Sequence, residues 1–453
     1  MNLDELRSKV ETIAFIMMEN RSFDHVLGHL SLPSYGGRAN VEGVRDLTNP
    51  AFQNSSQNGT LIGPFEMGDK AFPNDLPHER PFVTTQLAYA PALGRFTMNG
   101  FVTAYETFTG TSGVLSPPPM GILTPDALPT TSFFAREFMV ADHWFAPLPA
   151  STQPNRLMAF AGDTLLDMTR NGLMPDQTLV FDWLTSHGVR WRVYTAGLSF
   201  FTLMPKMWPW LLSDKFRPLA SLSFDAQHEA DSTFPQVIFV EPDYNDSPIH
   251  LSGHGSDNHP PLPMGFGEQF LKQAYEALTS NVVRWSKMVI LLTYDEHGGF
   301  FDHVPPQKVR YVPPTGATFA AFENTGIRVP TVVISPFVDR YSVSSDICDH
   351  TSFLQMIAER FGEPGETYSA TVAARASSGI NSLTKLLDSN LTTRPPPDPP
   401  DMMTLPPTQL VTTKTPVTSL EASFANAIDA FRQAHGAEAL AKFPEIAHLE
   451  ATR

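Results

Sequence analysis

The chain has 453 residues, 42% of them hydrophobic and 17% charged, enough for one large domain or two to three ordinary ones with a sizeable core. Its formal net charge of −16 argues against a basic surface for nucleic acid or anionic lipid. One cysteine, Cys348, excludes an internal disulfide, so redox chemistry does not decide the compartment.

The first apolar run, Ile13–Met18, reads as a strand buried on both faces. It is too short for a secretory core and runs into charge. No signal peptide is visible, and no stretch approaches the length of a spanning helix. The expectation is a soluble chain, cytoplasmic as given, or secreted or periplasmic if a leader was removed. Residues 40 to 74 are polar and rich in Gly, Asn and Pro, a long excursion from the core. Three further continuous apolar runs follow at Gln236–Val240, Met288–Thr293 and Val329–Ile334. Helical patterns lie between and after them, at Gly267–Leu278 and Thr351–Phe361, the latter with Thr351 or Ser352 placed as its cap. Strands alternating with helices predict an α/β fold with a largely parallel sheet. The 41 prolines, about 9% of the chain against a usual ~5%, concentrate partly in "TTRPPPDPPDMMTLPPT", a connector over 386–408. Beyond it, 409–453 has helical periodicity and is expected to dock back as one or two helices.

Ligands of open parallel sheets sit at the carboxyl ends of strands, and three of the four runs end there in acids. The first ends in Glu19–Asn20, the second in Glu241 and Asp243, the third in Asp295–Glu296–His297 with Asp302 and His303 a turn later. Clustered carboxylates raise one another's pKa unless a positive group sits among them, and a hard divalent cation or partner His and Arg groups would supply it. For any one pair, a solvated strand end or helix cap is the plainer explanation. Three such ends in one chain point to a shared polar site.

Ser151 and Thr152, in "PLPASTQPNRLMAFAG", stand just ahead of a helical pattern, where free backbone N–H groups can hold an anion. A hydroxyl there can be a nucleophile or merely a cap. His78, His259 beside Asp257, and His297 sit in Pro- or Gly-bounded loops beside acids, suited to orienting phosphate oxygens or protonating a leaving group. Gly298–Gly299 in "YDEHGG" would let the backbone turn away after the acidic pair.

In order, "MMENRSFDHVLG", "DLPHE", "STQPNRL", "DNHPP", "YDEHGGFFDHVPP" and "DHTSFL" resemble the phosphoesterase family of bacterial and fungal phospholipases C and acid phosphatases, over roughly residues 10 to 363. The resemblance implies an alkaline phosphatase-like α/β/α sandwich about a mixed sheet, with a catalytic domain over 1–385. It implies one divalent metal held by Glu19, Asn20, Asp295, Glu296 and the nucleophile, which the family motif places at Thr152. The oxygen-rich set favours Ca²⁺, Mg²⁺ or Mn²⁺ over Zn²⁺. It implies His78, Asp243, His259 and His297 around the phosphoryl group, with Asp257 among the catalytic groups and Asn155 and Tyr244 at the substrate. Ser151 stands where the family usually has Pro, and Tyr244 where some relatives have His.

The expected reaction is therefore two-step phosphoryl transfer through a phospho-threonine. The expected substrate is a phospholipid or small phosphate ester: a phosphodiester with a choline-type head group, or a monoester as in an acid phosphatase. Phe101, Tyr105, Trp144, Phe145 and Tyr244 are candidates for a cage around a quaternary ammonium. A glycosidase using paired carboxylates and a non-catalytic metal-binding module are the contrasting classes.

Overall fold

The computed structural model describes residues 1–251, 253–391, 393–401, 411–412 and 418–447. Its centre is an eight-stranded sheet, in chain order β1 (Thr12–Met18), β2 (Met139–Ala141), β3 (Trp191–Thr195), β4 (Phe216–Pro218), β5 (Val237–Glu241), β6 (Met288–Tyr294), β7 (Val332–Ile334) and β8 (Ser342–Ser344). The spatial order is β4-β3-β5-β1-β6-β7-β2-β8. Every neighbouring pair is parallel except the two made by β7, which runs against both β6 and β2. The helices used below are α1 (Phe23–Leu27), α2 (Arg80–Leu87), α3 (Thr152–Ala161), α4 (Gly265–Thr279), α5 (Thr351–Phe361) and α6 (Ser419–Lys442).

β1 is buried along its whole length, as its unbroken apolar run requires. It lies between β5 and β6 in registers Ile16↔Val240 and Met18↔Tyr294, so the residues leaving these three strands emerge side by side. Phe15 stacks on Phe353 of α5 at 4.6 Å and meets Phe160 of α3 edge-on at 5.7 Å, which joins sheet to helices. Tyr275 of α4 anchors a second helical group, with Phe133, Phe134 and Phe138 around it. The chain is a three-layer α/β/α sandwich.

The four apolar runs are four of the eight strands. The others escape a sequence reading because they are short or polar: β2, β4 and β8 have three residues each, and β3 carries Arg192, paired with Glu229 at 2.7 Å. α5 starts at Thr351 as expected, but its cap position is His350. The orphan N–H of Thr351 goes to Asp349 Oδ1 at 2.7 Å rather than to a hydroxyl.

The excursion folds onto the molecule through short ladders, Asn54–Ser55 with Leu61–Ile62 and Phe65–Met67 with Gly121–Leu123. The described part of the proline-rich connector straps α4: Tyr275 Oη donates to the Pro397 carbonyl and Lys272 Nζ to that of Pro400, at 2.7 and 2.8 Å. Residues 402–408 of that connector lie outside the described residues. So do 409–410, 413–417 and 448–453 of the C-terminal extension. α6 opens with a capping box of Thr418 and Glu421 and turns at Gly436, whose φ of 48° breaks the helix into two. Its buried stripe of Leu420, Phe424, Ile428 and Phe431 docks on the core, with Phe424 against Tyr244 at 5.9 Å and Phe431 against Trp208 at 5.6 Å. Among the described residues, no helix is long and apolar enough to cross a membrane.

Candidate active site

Strand register assembles the centre. Because Met18 pairs with Tyr294, Glu19–Asn20 and Asp295–Glu296 leave adjacent strands together. The Asp295 N–H donates to Met18 O at 3.1 Å, and the Asn20 N–H donates to Asp295 Oδ1 at 3.1 Å. Asn20 sits at φ 58°, a left-handed conformation that asparagine tolerates. Gly298 answers the need raised by that bend: at φ +61° it passes so close that a Cβ on it would lie 2.0 Å from the Asn20 carbonyl oxygen.

The hydroxyl pair divides into two roles. Ser151 occupies the cap position of α3 without bonding its own helix; it donates to Glu79 Oε2 at 2.7 Å and accepts from the Thr169 N–H at 2.8 Å. Thr152, the first helical residue, points Oγ1 at Asn20 Oδ1, 3.4 Å away. Four residues on, on the same helical face, Arg156 is fully buried between the acids. It lies 3.2 Å from Glu19 Oε1 and 3.2 Å from Asp295 Oδ2.

Asn155 and Tyr244, expected at the substrate, are engaged elsewhere. The Asn155 amide gives both hydrogens to the Ala150 and Ser151 carbonyls and accepts from the Leu148 N–H, so it shapes the loop that presents Thr152. The Tyr244 hydroxyl accepts from Arg156 Nη1 at 3.0 Å and donates to Glu241 Oε1 at 3.1 Å, which holds the guanidinium in place. Asp257, expected among the catalytic groups, accepts from the N–H groups of Asn245 and His259 and so builds the histidine loop. Asp243 Oδ1 lies 3.1 Å from His250 Nδ1, and its Oδ2 is buried without a hydrogen bond.

His259 Nε2 lies 2.7 Å from Asn20 Nδ2, within the constellation, while its Nδ1 faces the Pro260 carbonyl. His78 stands across from it, ring centroids 6.1 Å apart, with Nδ1 on the Leu76 carbonyl and a half-buried side chain. His297 is fully engaged: Nδ1 faces Glu296 Oε2 at 3.0 Å and Nε2 faces Gln86 Oε1 at 2.8 Å. It supports Glu296 rather than reaching outward. Asp302 and His303, grouped by the sequence with the third strand end, form a separate buried cluster. There Arg328 joins Asp24 and Asp302, and His303 bonds Asp24 at 2.6 Å. The five aromatic candidates for a head-group cage are all buried, and Trp144, for one, donates Nε1 to His350.

The electrostatics of the centre are lopsided. Glu19, Asp295 and Glu296 are all fully buried, against one buried guanidinium. Burial raises Glu19 far above the carboxylate range despite Arg156, and raises Asp295 to about 6. Burial also opposes the charge of His78, yet Glu296, Asp75 and Glu79 outweigh it and raise that ring to about 9. Neither Glu19 oxygen accepts a hydrogen bond, the Arg156 contact being an ion pair alone, and Glu296 Oε1 is likewise orphaned. Buried acceptors without donors are costly, so this set of hard oxygens fits a divalent cation. Among the described residues, the acid and histidine groups whose ligand atoms already lie within 4.8 Å of one another are Glu19 with Asp246 and His259, Asp75 with His78 and His259, and Asp24 with Asp302 and His303; Asp295 and Glu296 belong to none of them.

Sequence reasoning left Arg156, Gln86 and Asp246 without roles. Only Arg156 carried a usable signal, its four-residue spacing from Thr152. Gln86 and Asp246 reach the site through the packing of loops that no local pattern predicts.

Comparison with known proteins places this site in context. The chain is 29% identical over 358 residues to non-specific phospholipase C6 of Arabidopsis thaliana, covering 75% of this chain and 64% of the relative. It is 31% identical over 356 residues to non-specific phospholipase C1 of the same plant, covering 75% and 63%. With phospholipase C A of Mycobacterium tuberculosis (strain ATCC 25618 / H37Rv) it shares 29% over 405 residues, covering 78% and 73%. The chain thus spans a little under two thirds of the length of the plant relatives. The Phosphoesterase family profile matches residues 10–364, which take in every strand of the central sheet and all the residues of the centre. The chain belongs to the Phosphoesterase family.

Proposed function

We propose that the chain hydrolyses phosphate esters, with phosphodiesters of the phospholipase C type as its substrates, through a phospho-threonine at Thr152. The observation that carries this reading is the Thr152 hydroxyl, held at a helix N-terminus and aimed at Asn20 amid buried, unpartnered carboxylate oxygens. The relatives named phospholipase C supply the choice of substrate.

Glu19, Asn20, Asp295, Glu296 and Thr152 are the residues that would hold a divalent cation, Ca²⁺, Mg²⁺ or Mn²⁺ by the hardness of the donors. Such an ion supplies Lewis-acid stabilisation of phosphate charge and a lower pKa for a hydroxyl. The chain's own residues do the rest. Thr152 releases its hydroxyl proton to solvent and its Oγ1 attacks phosphorus in line. The α3 start adds little donation, because the Gln153 N–H is on Thr169 Oγ1, Pro154 has no N–H and the Asn155 N–H is on the Ser151 carbonyl. The P–O bond to the leaving alcohol breaks, and that oxygen takes a proton from a site imidazole. His78, whose charged form Glu296, Asp75 and Glu79 favour despite burial, is one such imidazole, with Nδ1 on the Leu76 carbonyl. Water then attacks the phospho-threonine, restoring the hydroxyl and releasing the phosphate product. Arg156 stays paired with Glu19 and Asp295 throughout and fixes the position of both carboxylates.

Turnover of p-nitrophenylphosphorylcholine and p-nitrophenyl phosphate, measured side by side with wild type and Thr152→Ala, tests the reading. The expected result is preference for the diester and a loss of roughly 10³-fold or more without the hydroxyl, as for other covalent nucleophiles. A loss below about tenfold removes Thr152 as nucleophile. Preference for the monoester replaces the lipid substrate with a phosphatase one.

A further inference from the structure

One buried side chain, not among the groups just assigned, links both sides of the centre. Gln86 lies on α2, the helix that begins two residues after His78, and it is fully buried. Its Nε2 donates to the Pro77 carbonyl at 2.7 Å, which fixes the amide so that Oε1 faces His297 Nε2 at 2.8 Å. A carbonyl oxygen only accepts, so the ring keeps its hydrogen at Nε2. The opposite ring nitrogen meets Glu296 Oε2 at 3.0 Å, and that oxygen also accepts the Gly298 N–H at 2.9 Å. The ring and the Gly298 N–H thus flank Oε2, while Oε1 is buried without a hydrogen bond.

The surroundings hold this chain of bonds rigid. A Cβ on Gly100 would lie 1.9 Å from the Thr85 carbonyl, and one on Gly299 would lie 2.8 Å from the Pro77 carbonyl. Two glycines therefore let the backbone pack directly against the Pro77 and Gln86 end of this chain.

We propose that Gln86 is a positioning residue for cation binding, acting through His297 to aim Glu296 Oε1 at the ion. The inference rests on the reading of Glu296 as a ligand. Removing the link frees the imidazole to rotate and the carboxylate to swing, without touching any ligand atom.

The test is titration of the chelator-stripped full chain with Mn²⁺ in a calorimeter, for wild type, Gln86→Met and Gln86→Glu. Met matches the volume and makes neither bond. A protonated Glu side chain makes both, by donating to Pro77 and accepting from His297. The expected result is affinity weakened roughly 10- to 100-fold in Gln86→Met and restored to within about threefold of wild type in Gln86→Glu, the range seen for outer-shell partners. The metal-free melting temperature should move by no more than about 2–4 °C. Unchanged affinity in Gln86→Met, or equal weakening in both variants, overturns the proposal. Should Gln86→Met fail to fold, His297→Gln reads the same link and must weaken binding comparably; unchanged binding overturns it. Wild type that binds no cation overturns this proposal and the metal reading together, whereas the hydrolase reading stands or falls separately on ester turnover.

Discussion

At the scale of single residues, Arg156 is the group on which the centre depends. It is the buried cation shared by Glu19 and Asp295, and Tyr244 and Phe200 face it at 4.9 and 5.0 Å. Breaking a buried ion pair by removing one partner leaves uncompensated charge, at a cost of about 3–5 kcal/mol. Arg156→Leu should lower stability by that order in urea melts. Added Mn²⁺ should restore more stability to the variant than it gives wild type, because the cation then replaces the lost charge. Equal gains would mean that Arg156 and the ion do not share carboxylates. Gly298→Ala should also disable the site. The clash with Asn20 O adds to the roughly 1 kcal/mol cost of a left-handed alanine, so both stability and turnover should fall.

At the scale of elements, the second buried cluster ties α1 to the loop after β6. His303 bonds Asp24, with Arg328, Asp302 and Glu42 also facing it. Burial opposes protonation of His303, yet Asp24 raises it from 6.5 to about 9. A raised histidine adds stability that is complete below its unfolded pKa and is lost as pH climbs through its folded one. Wild type should therefore lose stability between about pH 6.5 and 9 at up to roughly 1.4 kcal/mol per pH unit from this group. His303→Gln should flatten that part of the curve in chemical denaturation at pH 6, 7.5 and 9. α6 offers a second element test. Phe424 packs on the same Tyr244 that holds Arg156. Phe424→Ala, expected to cost about 3–5 kcal/mol, should therefore depress turnover as well as stability, whereas Phe431→Ala, packed on Trp208, should depress stability alone.

At the scale of the whole molecule, the three-layer core and the centre stabilise each other through one strand. β1 is both the middle of the sheet and the carrier of Glu19–Asn20, so folding the core brings the buried acids together. Any ion that binds this folded centre raises stability by mass action, ~2.7 kcal/mol when it is present at 100 times its Kd. A chelator should accordingly lower the melting temperature of wild type, and Glu296→Gln should reduce that sensitivity. A melting temperature indifferent to chelator and to Mn²⁺ would separate the fold from the cation.

The unbroken apolar runs β1, β5, β6 and β7 were legible because strands covered on both faces need no polar positions. The acids at their ends were legible because such groups have no place in a core unless they are used. α5 and α6 could be read from their periodicity, and the turn at Gly298–Gly299 from glycine alone. Local pattern could not reveal the short strands β2, β4 and β8, nor the pairing of Arg192 with Glu229, since these exist only once the neighbours are in place. Nor could it assign the hydrogen bonds of the site. Asn155, Asp257 and Tyr244 have the same chemistry as groups that face a substrate, and only the loops packed around them decide that they hold backbone or Arg156 instead. Sequence thus determined which chemical groups are available, because residue type sets charge, donors and acceptors. Tertiary structure decided which of them remain unpaired, because satisfaction of a buried polar atom depends on contacts far apart in the chain, as Gln86 and His297 show.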